Sequence, residues 1–148
     1  MQLVLCDSTA QTLYIHNKVI QNVASCKYLG ILIDSDLKWT EHIKYIHNNL
    51  IKFVSISYKI RTKLPPEVGL LRLIYFAFVH SHLLYGIEIY GNTTANHLSK
   101  LLVLLNNRLL RILQHKPFKT HTTDLYNTYF TLPLQLLHSY QILVFMHW

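Results

Sequence analysis

The sequence contains few of the residues from which catalytic and metal centres are built. Only 7 of its 148 residues are aspartate or glutamate, and no two aspartates are adjacent. Because two-metal catalysis depends on clustered carboxylates, we expect no catalytic residue and no metal site in this chain. The 10 histidines and 2 cysteines lack His-x-x-x-His and Cys-x-x-Cys spacing, which predicts structural or surface histidines. Cys6 and Cys26 are expected to be reduced thiols.

Charge is also scarce, and one sign dominates it. Charged residues make up 14% of the chain and apolar residues 51%, with a mean hydropathy of +0.20. A chain with so little charge is expected to pack against further protein. The formal net charge is nevertheless +7. This excess favours a polyanionic partner, either nucleic acid or an anionic membrane surface.

An abrupt change from strand to helix is predicted within residues 27–43. The apolar run 29–33 is typical of a strand covered on both faces, and Gly30 allows a backbone or a ligand to come close. The turn chemistry of Asp34-Ser35-Asp36 ends that strand, which predicts a structural role for both aspartates. Thr40 is the predicted N-cap of the following helix, with Glu41 in its first turn.

The N-terminal residues predict short strands. Residues 2–6 form one candidate, and residues 12–15 and 19–23 form a candidate hairpin around residues 16–18. A few short strands make a poor core by themselves, so we expect the edge of a larger sheet. The predicted fold class is α+β, with a small antiparallel β-sheet remnant followed by a mostly α-helical bundle.

The helix predicted over residues 40–63 has two distinct faces. Its apolar positions recur at steps of three and four residues, which predicts one buried face; these positions are Ile43, Ile46, Leu50, Phe53, Ser57 and Ile60. A second arc carries Lys44, Lys52, Lys59 and Lys63. A basic stripe opposite an apolar one suits a helix that lies along a phosphate backbone. The alternative is that this arc is an ordinary solvent-exposed helix face whose lysines keep the protein soluble.

The remaining segments predict further helices. Residues 68–85 are apolar almost all round, which is typical of a helix central in a bundle or in a membrane. Arg72, His80 and His82 interrupt this run, so no membrane span is expected. The leucine seam over residues 98–112 favours packing within the bundle over a coiled coil. A short helix is predicted to start at Thr122 or Thr123, with Asp124 in its first turn, and a final helix is predicted over residues 134–148. Because the chain ends on an apolar segment, we expect it to be clipped at both ends from a longer protein.

Several separated motifs resemble one protein family. They are Tyr28-Leu29-Gly30 with an apolar run to Asp34, Leu37-x-Trp39-x-x-His42-Ile43, Leu84-Tyr85-Gly86 through Tyr90-Gly91, and Asn106-Asn107-Arg108-x-x-Arg111-Ile112. Together they resemble the palm-to-thumb junction and the following helices of non-LTR (LINE-type) retrotransposon reverse transcriptases. The resemblance is most secure over residues 26–112.

The resemblance implies a division of roles. Residues 1–38 would form palm-edge, primer-grip strands, and residues 39–148 the helical thumb and C-terminal extension. Tyr28, Leu29 and Gly30 would lie near the primer end, while the residues expected at the nucleic-acid backbone are Lys44, Lys52, Lys59 and Lys63.

The same resemblance implies which functional parts of the enzyme would lie outside this chain. The catalytic aspartates of the family lie upstream of Met1, so this fragment alone would be inactive and Mg²⁺ would belong to the intact enzyme. The implied partners are an RNA template, an RNA–DNA duplex and the missing fingers and palm of the same polyprotein, in the nucleus or cytoplasm. The alternative is a helical protein-interaction or membrane-associated protein that uses residues 68–90 or 98–112.

Overall fold

The N-terminal part of the chain forms short hairpins. The structure, a computed structural model, describes residues 13–15, 18–20, 23–65, 69–91 and 96–147. Strands β1 (Leu13–Ile15) and β2 (Lys18–Ile20) pair antiparallel, as do β3 (Ser25–Tyr28) and β4 (Ile31–Asp34). The predicted hairpin is therefore confirmed at its described residues, 13–15 and 18–20. The strand predicted at 2–6 lies outside the described residues, as does Cys6. Cys26 is an exposed free thiol.

Helices make up the rest of the described chain, so the α+β fold class is confirmed. The bounds of these helices are α1 (Thr40–Lys63), α2 (Leu70–Ile74), a π-helical segment (Tyr75–His80), α3 (Ser81–Leu84), α4 (Ile87–Tyr90), α5 (Asn96–Leu113), α6 (Thr122–Tyr129) and α7 (Leu134–His147). Helix α1 has the predicted bounds, and the extended backbone of Leu64 ends it before Pro65.

The continuous strand predicted through residues 29–33 is wrong, because the chain reverses there. Leu29 (φ 45°) and Gly30 (φ 82°) form a two-residue turn, and Tyr28 pairs with Ile31 across it. Two left-handed residues match the twist of a tight hairpin. The expected cover on both faces is also absent, since β3 is exposed and Ile31 is the one fully buried residue of β4. The hydrophobic pattern alone gives no sign that the chain turns back at Leu29.

Helices α1 and α5 pack against each other and form the centre of the core. The buried residues of α1 include Ile43, Ile46, Leu50 and Ser57 from the predicted face, and Phe53 and Ile60 are half-buried. The leucine seam of α5 turns inward as predicted, with Leu102, Leu105, Leu109 and Ile112 all buried. The seam therefore packs within the chain.

A buried polar network ties α5 to its neighbours. The Tyr75 hydroxyl donates to Asn106 Oδ1 (3.1 Å), and the Tyr126 hydroxyl donates to Asn107 Oδ1 (2.6 Å). Asn106 Nδ2 in turn donates to the Tyr126 hydroxyl at 3.4 Å. Burial raises the pKa of both tyrosines above the ordinary value. The two asparagines of the family-like motif therefore have a packing role.

The helical run from Leu70 to Leu84 is buried on one side, which corrects the prediction of a helix surrounded by protein. Its buried residues recur every four positions: Leu71, Tyr75, Val79 and Leu83. Leu73 and Phe78 on the other side are 63% and 48% exposed. The run lies at the surface of the bundle, and composition alone does not report how many neighbours a helix has. No helix in the described ranges is long and apolar enough to cross a membrane.

Two glycines mark a helix end and a close approach between helices. Gly86 (φ 70°) separates α3 from α4, and a Cβ there would lie 2.8 Å from Ile31 Cδ1. A Cβ at Gly91 would meet the His138 ring of α7 and lie 2.5 Å from the Ile87 carbonyl oxygen. Helix α4 can therefore pack closely on α7 because position 91 has no side chain.

Candidate nucleic-acid interface

The turn between β4 and α1 is held by one carboxylate. Asp34 Oδ1 accepts a hydrogen bond from the Lys38 amide (2.7 Å), and Oδ2 accepts one from the Thr40 amide (3.2 Å). The structural role predicted for Asp34 is therefore confirmed. The predicted N-cap at Thr40 is wrong by one residue, since Trp39 (φ 59°) is the cap position and makes no side-chain cap bond. Asp34 satisfies the Thr40 amide from outside the helix.

Asp36 has a different environment from Asp34. Its carboxylate makes an exposed ion pair with Lys38 (2.8 Å), and the ammonium group holds the pKa of Asp36 below its usual range. Within the described ranges, no group of three or more histidine, cysteine or acidic side chains could hold a metal ion. Because both Asp34 oxygens accept amide bonds and Asp36 pairs with Lys38, this pair does not fit a Mg²⁺ ion.

The predicted primer-grip residues form the tip of the second hairpin. Tyr28 and Leu29 are 64% and 71% exposed. The Tyr85 hydroxyl donates to the Leu29 carbonyl oxygen at 2.5 Å, and its ring lies 3.4 Å from where a Gly30 Cβ would be. The close neighbour predicted at Gly30 is thus the Tyr85 side chain.

A buried histidine joins this hairpin to α1. The Leu32 amide donates to His42 Nδ1 at 3.3 Å, and the His42 side chain is among the buried residues of the helix. Burial lowers the pKa of His42. His42 also lines a cavity of about 320 Å³ together with Gly30, Tyr45 and Tyr85. Its neutral form is therefore the one that supports the hairpin.

Four lysines form a surface that we call the lysine arc: Lys44, Lys52, Lys59 and Lys63. All four are exposed. A helix turns by about 100° per residue, which places them within an arc of about 100° centred opposite the buried face of α1. Lys44 is paired with Glu41 at 2.9 Å. For the other three lysines, no acidic side chain among the described residues lies within ion-pairing distance.

The hairpin contributes a further cation beside this arc, which sequence reasoning missed. Lys27 Nζ lies 5.3 Å from the centre of the Tyr45 ring, an arrangement in which the ring attracts the cation. Tyr45 lies at the same angular position on α1 as Lys52 and Lys63. The hairpin and the lysine arc are therefore neighbours. In the sequence, the only signal for this contact is that Lys27 directly precedes Tyr28 of the motif.

A second basic surface, which we call the basic cleft, lies where the C-terminal ends of α1 and α5 meet. It is a cavity of about 570 Å³ whose lining includes Arg61, Arg108, Arg111, Lys116, Tyr58 and Phe118. The sequence places Arg108 and Arg111 on neighbouring turns of one helix. The sequence gives no signal that Arg61 lies in the same cleft, because only the packing of α1 on α5 brings Arg61 next to Arg108 and Arg111.

Comparison with known proteins gives two relatives. The chain is 29% identical over 112 residues to the RNA-directed DNA polymerase from mobile element jockey of Drosophila melanogaster. It is 25% identical over 112 residues to the protein of the same name in Drosophila funebris. The chain is similar to reverse transcriptases.

That similarity covers 75% of this chain but 12% of either relative. It supports the resemblance to a fragment of a LINE-type reverse transcriptase. No family model matches the sequence, and no solved structure matches it.

Proposed function

We propose that this chain is the part of a mobile-element RNA-directed DNA polymerase that holds the duplex of RNA template and growing DNA strand. Residues 1–38 correspond in this proposal to the palm edge, and residues 39–148 to the thumb and C-terminal extension. Two jockey polymerases similar over 112 residues support the enzyme class. The lysine arc supports the duplex contact.

The observation that carries this proposal is the geometry of the lysine arc. Lys44 and Lys63 are separated by 19 residues, or about 28 Å at 1.5 Å per residue. Each strand of a duplex carries one phosphate per about 3.4 Å of helix axis, so the arc is as long as about eight base pairs of duplex. Because the opposite face of α1 is buried on α5, the helix can lie along a backbone without leaving its own core.

The hairpin tip supplies the second contact in this proposal. Tyr28 and Leu29 are exposed large side chains that follow Lys27, whose ammonium lies over the Tyr45 ring of α1. The Tyr85 hydroxyl holds the turn by donating to the Leu29 carbonyl oxygen. A duplex lying on the arc would pass the tip, which places Tyr28, Leu29 and Gly30 near the primer end. The polymerase chemistry, with its Mg²⁺, belongs in this proposal to the fingers and palm of the same polyprotein. The chain alone is then inactive.

Binding of an RNA–DNA hybrid to the 148-residue chain tests the proposal. Two lysines without acidic partners are removed in Lys52→Gln/Lys59→Gln, and the matched control Lys100→Gln/Lys119→Gln removes two exposed charges elsewhere. Fluorescence anisotropy at about 0.1 M salt should show about 10- to 100-fold weaker binding for the arc variant. The control should bind within about threefold of the original chain. Equal losses in the two variants would mean that the arc has no special role.

A further inference from the structure

The basic cleft concentrates positive charge that nothing nearby neutralises. Arg108 and Lys116 are exposed, and Arg61 and Arg111 are half-buried. No acidic side chain lines the cavity, and in the described part of the chain none pairs with these four cations. A concave surface lined by one sign of charge focuses the field and attracts the opposite sign. The cleft is therefore suited to an anion.

Hydrogen bonds hold the walls of the cleft in place. Arg61 Nε donates to His115 Nδ1 (3.3 Å), and Arg111 Nη2 donates to the Thr120 carbonyl oxygen (3.2 Å). The end of α5 closes with bonds from the His115 and Lys116 amides back to the last turn (3.2 and 3.0 Å), the pattern of a Schellman cap. His115 has φ 55°, a conformation that costs a non-glycine residue about 1–2 kcal/mol. The cap therefore fixes the backbone of His115 and Lys116 at the edge of the cleft.

Two donors in the wall have no acceptor. His115 Nδ1 accepts the bond from Arg61, so the proton of the neutral ring is assigned to Nε2. Both His115 Nε2 and Arg111 Nε are buried and make no hydrogen bond. A buried donor without a partner costs about 1–3 kcal/mol. Both donors belong to residues that line the cavity, so the cleft wall contains donors that an anion could satisfy.

Exposed aromatic rings beside the cations indicate which class of anion the cleft would bind. Phe118 is 85% exposed, with the Arg111 guanidinium 5.6 Å from its ring centre, and Tyr58 is 46% exposed. Basic grooves with accessible aromatic rings bind single strands, whose bases can stack on the rings. In a duplex the base faces are already stacked. The cavity volume, about 570 Å³, lies in the range for a ligand of nucleotide size.

We propose that the basic cleft binds single-stranded nucleic acid, with phosphates on Arg61, Arg108 and Lys116 and a base on Phe118. Arg61 lies near the centre of the α1 face that packs on α5, about opposite the lysine arc. The two surfaces are therefore separate, and a single strand can occupy the cleft while a duplex lies on the arc. This inference stands on the cleft alone and does not depend on the proposed duplex contact.

Two double variants and two nucleic acids test this site in the full chain. A 12-nucleotide single-stranded RNA and an RNA–DNA hybrid are titrated against Arg108→Gln/Lys116→Gln and against Lys52→Gln/Lys59→Gln. The cleft variant should bind the single strand at least about tenfold more weakly and the hybrid within about threefold. The arc variant should do the reverse. A cleft variant that keeps its affinity for the single strand, or loses both ligands equally, overturns the proposal.

A second experiment separates base stacking from simple attraction of a polyanion. Phe118→Ala removes an exposed ring and should weaken single-strand binding at least about fivefold, while Phe145→Ala, another exposed ring on α7, should have no effect. An abasic strand of equal length should bind more weakly and be insensitive to Phe118→Ala. Equal affinity for the abasic strand, or for an acidic peptide of equal charge, would contradict a single-strand site. Thermal unfolding of each variant confirms that the fold is intact.

Discussion

Replacement of Asp34 by alanine should destabilise the junction between the second hairpin and α1. The carboxylate accepts two amide hydrogen bonds across the turn, from Lys38 at 2.7 Å and from Thr40 at 3.2 Å. The turn also contains Leu37 (φ 53°) and Trp39 (φ 59°) in the left-handed region. Each of these two costs about 1–2 kcal/mol, so the turn depends on the bonds that Asp34 provides.

The expected size of the effect follows from these two bonds. Loss of a helix cap costs about 0.5–2 kcal/mol, and hydrogen bonds to a charged group are worth about 1.5–3 kcal/mol. Because the first bond is exposed and the second only partly buried, solvent screening favours the lower part of this range. We expect Asp34→Ala to lower the free energy of unfolding by about 2 kcal/mol and the midpoint of thermal unfolding by about 6 °C.

Unfolding followed by circular dichroism, in heat and in urea, measures this change. Asp36→Ala is the matched control, since the Asp36 carboxylate makes an exposed pair with Lys38. The unfolding midpoint of this variant should not change measurably. Mg²⁺ should stabilise neither the original chain nor the variants. Equal destabilisation by the two substitutions, or stabilisation of the original chain by Mg²⁺ that Asp34→Ala abolishes, would refute the structural role of Asp34.

Three further substitutions test the packing inside the domain. Burial lowers the pKa of His42 below its unfolded value of about 6.5, so the contribution of His42 to stability should be full above about pH 6.5 and should fall as the pH drops. His42→Asn keeps an acceptor for the Leu32 amide and should reduce this pH dependence, as measured by urea unfolding at several pH values. Gly91→Ala should cost about 1–3 kcal/mol because its Cβ would lie 2.5 Å from a backbone oxygen, whereas Gly69→Ala, with no atom within 4 Å, should change the thermal midpoint little. Tyr126→Phe leaves a buried asparagine oxygen without its donor and should cost about 1–3 kcal/mol in urea unfolding, while Tyr140→Phe at an exposed position should cost nothing measurable.

The features that sequence reasoning predicted well are local. The bounds of α1 follow from its three- and four-residue period and from the prolines that end it, and the structure has the same bounds. The inward seam of α5 also depends on residues close in sequence. Such features are set by the backbone preferences of neighbouring residues and by a single apolar face, and a short stretch of sequence is enough to recognise both.

The features that sequence reasoning missed depend on residues far apart. Arg61 and His115 are 54 positions apart, and their contact forms the wall of the basic cleft. The hairpin reversal at Leu29 places an apolar residue at a positive φ, which propensity disfavours and tertiary contact with Tyr85 supports. The exposed side of the helical run 70–84 was missed for a similar reason, since the number of neighbouring helices is a property of the whole fold.

The salt dependence of hybrid binding tests the central claim most directly. The dissociation constant of the 148-residue chain for an RNA–DNA hybrid is measured from about 0.05 to 0.2 M salt, and again for Lys52→Gln/Lys59→Gln/Lys63→Gln. Each phosphate contact contributes about 0.7–0.9 to the slope of log K against log salt concentration. The account predicts a slope smaller by about 2–3 in the triple variant. An unchanged slope, or no binding by the original chain at the lowest salt, would contradict it.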